Sequence, residues 1–157
     1  MNNTMPKQSA GILLYRQSPQ LEVFLIHPGG PFFKNKDDGH WSIPKGEYSV
    51  DEDALTAAKR EFFEETGRQV VGQFIDMGSV QLKSGKIIHA FAIEGDIDHE
   101  AIKSNLFEIE WPPRSGKMQS FPEIDRAGWF IPDEAKTKLN PAQAKFVNDL
   151  AVKLSQQ

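Results

Sequence analysis

The sequence predicts a single α/β (α+β) domain in which strands and helices alternate as a layered sandwich. Three observations predict it. Two short apolar runs, Ala10–Tyr15 and Leu21–His27, read as strands near the start. A helical pattern with start and stop signals follows and ends at Gly67. Beyond it lie two more strand-like runs and an amphipathic C-terminal segment.

A chain of 157 residues is long enough to bury a real core and too short for two full domains, so residues 1–157 are expected to form one unit. Its 39% hydrophobic and 25% charged content suit a soluble protein. The net charge of −4 argues against a nonspecific hold on nucleic-acid phosphates. With no cysteine, disulfides, thiolate metal sites and a cysteine nucleophile are excluded. Met1–Ser9 is polar and lacks the apolar stretch of a signal peptide, and no run approaches the length of a membrane span, so the expected compartment is the cytoplasm.

In chain order, Ala10–Tyr15 (AGILLY) and Leu21–His27 (LEVFLIH) are joined by a polar turn containing Pro19. Pro28–Gly39 is a loop rich in Gly, Pro and Lys, with Phe33 expected to close the core. Trp41–Pro44 reads as a short extended piece. Ser49-Val50-Asp51-Glu52 matches the capping box, in which a Ser side chain and a Glu three residues on satisfy free backbone N–H groups. The helix is therefore expected to begin near Val50, with Asp51, Glu52 and Asp53 at the positive end of its dipole. Leu55, Ala58 and Phe62 form its buried stripe, and Gly67 supplies a left-handed stop. Phe74–Lys83 and Lys86–Ile93 read as strands around a Ser84-Gly85 hairpin turn. Glu94–Arg114 gives mixed signals: Glu100–Phe107 fits a short helix and Trp111-Pro112-Pro113 a loop. Gly128–Ile131 reads as a short strand. Asn140-Pro141 reads as an N-cap followed by Pro, opening a helix with Phe146, Val147, Leu150, Ala151 and Leu154 on one face.

The chemistry concentrates on the first helix. Glu61, Glu64 and Glu65 lie at i, i+3 and i+4 and share one side, with the small Ala54 and Ala57 beside them. Clustered carboxylates are hard oxygen donors of the kind Mg²⁺ or Mn²⁺ takes, with water and a substrate phosphate completing the shell. The plain alternative is a solvated acidic face, because like charges at this spacing cost only about 0.2–0.5 kcal/mol in water.

The neighbours decide between the two. From Gly46 the chain reads Gly46-x5-Glu52-x7-Arg60-Glu61-Phe62-x-Glu64-Glu65-x-Gly67-Arg68. This resembles the signature of the Nudix hydrolases, G-x5-E-x7-R-E-U-x-E-E-x-G-U, where U is a bulky aliphatic residue. Every fixed position matches, an agreement with a chance on the order of one in a million at ordinary residue frequencies. Phe62 and Arg68 depart from the two U positions, the second putting only the packing after the helix in question.

The resemblance implies a Nudix fold, a mixed β-sheet sandwiched between α-helices. It also implies divalent-metal-dependent hydrolysis of a phosphoanhydride bond in a nucleoside diphosphate derivative. Carried over by position, Glu61, Glu64 and Glu65 are the expected ligands of Mg²⁺ or Mn²⁺, assisted by backbone near Lys45 or Gly46. Arg60 is expected to brace the loop and orient a glutamate, against the alternative of a solvated partner of Glu64. Glu52 is a capping residue or part of the same apparatus. Several family members use one more acid from outside the motif. Glu123 is the candidate here, as ligand or base, because Pro122–Trp129 resembles the acid-then-Trp segment of polyphosphate-cleaving members; Asp125 and Glu110 compete with it.

For substrate phosphates the candidate cations are Lys45, directly before the motif, and Lys83 and Lys86 around the hairpin turn. Trp111 and Phe33 are candidate platforms for a nucleobase, with closing the core the alternative for both and the preferred role for Phe33. His27, His40, His89 and His99 show no ligand spacing. The proline that marks ADP-ribose cleavers downstream of the motif is missing, as no proline occurs from Gln69 to Glu110. The tyrosine of some diadenosine polyphosphate members is also missing there, and it is the acid-then-Trp segment that leans toward dinucleoside polyphosphates or capped and triphosphorylated RNA ends. The expected substrate is a dinucleoside polyphosphate or a (d)NTP, the expected partner a small nucleotide. The second reading is a Nudix-fold module that senses a nucleotide without cleaving it; retention of all three glutamates favours the enzyme.

Overall fold

The computed structural model describes residues 6–157; Met1–Met5 of the polar N-terminal segment lie outside them. The strands are β1 (Gln8–Arg16), β2 (Glu22–Pro28), β3 (Lys45–Glu47), β4 (Ile75–Gln81), β5 (Ile87–Glu94), β6 (Leu106–Glu110), β7 (Met118–Pro122) and β8 (Ile124–Phe130). The helices are α1 (Ala54–Thr66), α2 (Pro132–Lys138) and α3 (Ala144–Ser155), the last preceded by a 3-10 turn at Pro141–Gln143.

Five strands run in the order β4-β5-β1-β2-β8, with β3 added on β1. β1 and β5 are parallel and the other neighbours antiparallel, so the sheet is mixed. Why β1 is apolar without alternation follows from its place: Ser9–Tyr15 are buried throughout, because both faces of this central strand are covered. Its side chains still alternate. Leu13 and Tyr15 join Val23, Leu25, Ile88, Phe146, Val147 and Leu150 under α2 and α3. Ile12 and Leu14 join Phe24, Ala57, Ala58, Phe62 and Phe91 under α1. Fully burying a ring such as Phe62 contributes about 1.5–3 kcal/mol.

Helix α1 starts later than expected. The capping box does not form: Asp53, not Ser49, is the N-cap, and its carboxylate accepts the Thr56 N–H at 3.1 Å. The Ser49 carbonyl instead accepts the Glu52 N–H within a turn, and the Glu52 carboxylate goes to Arg60. The buried face is Ala57, Ala58, Phe62 and Thr66, with Leu55 only half-buried. Gly67 ends the helix at φ 75°, as expected. Asp53→Ala should therefore cost about 0.5–2 kcal/mol, and Ser49→Ala close to nothing. A denaturant midpoint that falls for Ser49→Ala and not for Asp53→Ala would reinstate the capping box.

Other differences have local causes. Glu100–Phe107 is not a helix. From Leu106 the chain alternates exposed and half-buried residues and pairs with β7 in a separate hairpin, so period two prevails over the short helical pattern. Trp41 and Ser42 make only isolated bridges, and the pairing with β1 starts at Lys45. β8 begins at Ile124, earlier than Gly128. Helix α2 was not expected, although Pro132 in its first turn, Asp133 and Glu134 near its start and Lys136 and Lys138 near its end are the usual signals. The hairpin β4–β5 and the Asn140 cap, which accepts the Ala142 N–H, stand where expected. Among the described residues no helix is long and apolar enough to cross a membrane.

Candidate active site

The edge of α1 that faces β3 carries the acids, and Arg60 organises them. Its Nε and Nη2 donate to both carboxylate oxygens of Glu52 at 2.9 Å. Its Nη1 donates to Glu61 at 2.7 Å and reaches Glu64 only at 3.4 Å. One guanidinium thus ties the loop before α1 to the helix and fixes the Glu61 rotamer, a fork geometry that lysine cannot reproduce. The hydrogen bond from Arg60 holds Glu52 below the usual carboxylate range, and Arg60 itself is held firmly protonated.

Gly46 lies against Glu61 so closely that a Cβ there would overlap the carboxylate. The Lys45 N–H donates to Glu65 Oε2 at 2.9 Å. Burial pushes the Glu65 carboxyl up to about 8, against the pull of the Lys45 ammonium and N–H, with Glu61 and Glu123 raising it further. Burial also raises Glu61, opposed by Arg60. Lys45 is lowered by burial and then by Lys86, while Glu65 and Glu47 draw it back.

Glu65, Lys45 and Glu123 line one cavity of about 300 Å³ together with Phe33, His40, Trp41 and Gln143. Glu64 points elsewhere, lining a separate cleft with Lys59 and Phe63. Glu65 and Glu64 therefore face different surfaces, with Glu61 bound to Arg60, and among the described residues no three acidic or histidine side chains already form a metal cage. The donor set that does meet fits a hard divalent cation in kind: carboxylate oxygens of Glu61, Glu65 and Glu123 beside the Gly46 backbone, no sulfur, and mutual repulsion that a cation would relieve.

The three candidate extra acids separate clearly. Glu110 accepts the Arg114 N–H at 2.7 Å in the β6–β7 hairpin, and Asp125 is engaged by His27 at 2.7 Å. Glu123 is the one that lines the cavity. Of the cations, Lys86 pairs with Glu47 at 3.8 Å, close enough to Lys45 to depress it, whereas Lys83 is exposed and lines no cavity described here. Trp111 packs edge-on against the exposed Phe32 at 5.3 Å and lines a cleft of about 570 Å³ with Lys34, Asn35, Gln119, Phe121 and Asp125. Phe33 is not a core residue: half-buried, it lines the Glu65–Glu123 cavity, in a loop tied at one end to Glu123 and at the other to Thr137. His27 was set aside by spacing and proves fully buried. Its place at the end of an apolar strand was the available signal.

Glu65, Glu123 and Lys45 sharing one cavity, on a mixed sheet held between helices, suit hydrolysis of an acid anhydride, which needs both a cation environment and an activated water. The sequence pattern of the NUDIX domain matches residues 5–150. The chain belongs to the Nudix family and is a pyrophosphohydrolase of that family, acting on a nucleoside diphosphate linked to another group.

Solved structures share the fold at low identity. An Ap4A hydrolase from C. elegans, in a binary complex, superposes with a TM-score of 0.66 at 16% identity, over 95% of this chain and 99% of that one. The NUDIX domain of Shewanella oneidensis NrtR, complexed with ADP ribose, gives 0.66 at 15%, over 96% and 90%. A MutT protein from Methanosarcina mazei Go1 gives 0.64 at 17%, over 98% of each chain. No curated protein matches the sequence at a significant level.

Proposed function

We propose that the enzyme hydrolyses a phosphoanhydride bond of a dinucleoside polyphosphate or a (d)NTP, with Mg²⁺ or Mn²⁺ held by Glu61, Glu65 and the Gly46 backbone, and by Glu64 once its carboxylate turns from the neighbouring cleft. The observation that carries this reading is the meeting of Glu65, Lys45 and Glu123 in one cavity, an ammonium for phosphate beside carboxylates for cation and water. When bound, the cation would neutralise phosphate charge and acidify a water. Lys45, half-buried and near Lys86, would hold a phosphate oxygen by a charge-assisted bond. Arg60 keeps Glu61 in place through its grip on Glu52. The Glu123 carboxylate takes a proton from the attacking water. Trp111 and Phe32 offer a face to one base of the substrate.

Several phosphates gain more from Lys45 and Lys86 than the two of ADP-ribose do, which favours the polyphosphate. Diadenosine tetraphosphate is accordingly expected to have the higher kcat/KM under identical Mg²⁺. An advantage for ADP-ribose of tenfold or more, about 1.4 kcal/mol in transition-state terms, would overturn the substrate assignment and leave the metal assignment standing. Cation-dependent nucleotide binding with no release of product would favour the sensing alternative.

A further inference from the structure

We infer that His27 is a positioning residue for Glu123, an inference that rests on the hydrolase reading above. His27, the last residue but one of β2, has no exposed surface, and neither the cation site nor the phosphate contacts use it. Its Nε2 lies 2.6 Å from the Lys36 carbonyl, which can only accept, so Nε2 carries a hydrogen and donates. Its Nδ1 lies 2.7 Å from Asp125 Oδ1, and the ring stands edge-on to Trp41 at 5.3 Å. One buried ring thereby fastens two segments that meet at the cavity: the 28–39 loop, which carries Phe33, and the 122–125 segment, which carries Glu123.

Backbone contacts run the same way. The Gly29 N–H donates to the Glu123 carbonyl at 2.8 Å, and a Cβ on Gly29 would overlap the Pro122 carbonyl oxygen. The Glu123 N–H donates in turn to the Asn105 carbonyl at 2.8 Å. Glu123 is thus held by its backbone on both sides, and its neighbour two residues on is held by its side chain. The pairing of β2 with β8 shifts register between His27 and Pro28, from Arg126 to Ile124, which leaves Asp125 as the residue the ladder skips and the one the histidine holds. The Asp125 contact is the one His27 bond that acts directly on the Glu123 segment. The Arg126 guanidinium stands 3.8 Å from the same Asp125 oxygen and is exposed, a weaker tether than a buried hydrogen bond.

Two conservative variants separate the two bonds. Asn places its amide where Nδ1 stood and can donate to Asp125; Gln places its amide where Nε2 stood and can donate to the Lys36 carbonyl. His27→Gln is expected to lower kcat about 10- to 100-fold, as small misplacements of a reacting group do, while KM stays within about threefold. Hydrogen exchange at the Gly29 and Glu123 amides should accelerate in the same variant, with β1 and β5 still protected. His27→Asn, which keeps the Asp125 bond and gives up the Lys36 one, is expected to change kcat and exchange at Glu123 clearly less than His27→Gln does. Unchanged exchange at Gly29 and Glu123 in a folded His27→Gln, or equal effects of the two variants, would overturn the inference. A wild-type protein that cleaves no nucleotide would count against the hydrolase reading alone, because the exchange arm still decides whether His27 holds the segment.

Discussion

Glu65→Gln or Glu64→Gln is expected to slow hydrolysis more than a hundredfold, and chelation of divalent cations to abolish it. Each change removes an anionic donor while keeping size and helix propensity, so the fold should survive. Changes one shell further out already cost about 10–100-fold in comparable sites, which sets the lower bound. Glu65 is the sharper test of the two. It lies within the cavity with Lys45 and Glu123, and Gln can still accept the Lys45 N–H through its carbonyl oxygen. Glu64 stands on the other flank beside Lys59 and Arg60, so a loss as large there would mean that its carboxylate swings toward the cavity when a cation binds. Wild-type rates in both folded variants, measured by single-turnover product release with Mg²⁺, would end the metal assignment.

Glu123→Gln is the second large effect, an expected fall in maximal rate of about 10²–10⁴, as loss of a general base gives. The geometry sharpens the prediction, because Glu110 and Asp125 already have hydrogen-bond partners and Glu123 has none among the described residues. The side chain is exposed, so the substitution should leave stability nearly unchanged. A fall below threefold would return Glu123 to the role of a solvated loop acid and send the same test to Asp125 and then Glu110. A fall with KM raised and kcat unchanged would mark a binding contact instead of a base.

Much of this was legible in the chain itself. Periodicity found the central strands, the β4–β5 hairpin and the apolar face of α3, because those elements depend on neighbours close in sequence. Glu61, Glu64 and Glu65 stood out by their spacing on one helix, and the resemblance to the Nudix signature added Arg60 and Gly46 as candidates beside them. What spacing cannot supply is direction. At i, i+3 and i+4 the glutamates share a side in projection, yet Glu65 turns to Lys45 and Glu64 to the cleft on the Arg60 flank, with β3 lying against α1 on the Glu65 side. The helix start moved from Val50 to Ala54 because Arg60, two turns on, claimed the Glu52 carboxylate that the capping box required.

The rest belonged to the tertiary structure. Lys83 and Lys86 look equivalent around one turn, and only the packing of Lys86 against Glu47 brings it near Lys45. Phe33 was assigned to the core on hydrophobicity, and the loop that carries it places it in the cavity instead. His27 and Asp125 are separated by most of the chain and meet because β2 and β8 are neighbours in the sheet. By itself the sequence determined the family, the acid-bearing helix and the central sheet strands, all matters of local pattern. The folded chain decided which acids share a cavity, which cation faces them and what holds Glu123, since these depend on contacts between residues far apart in sequence.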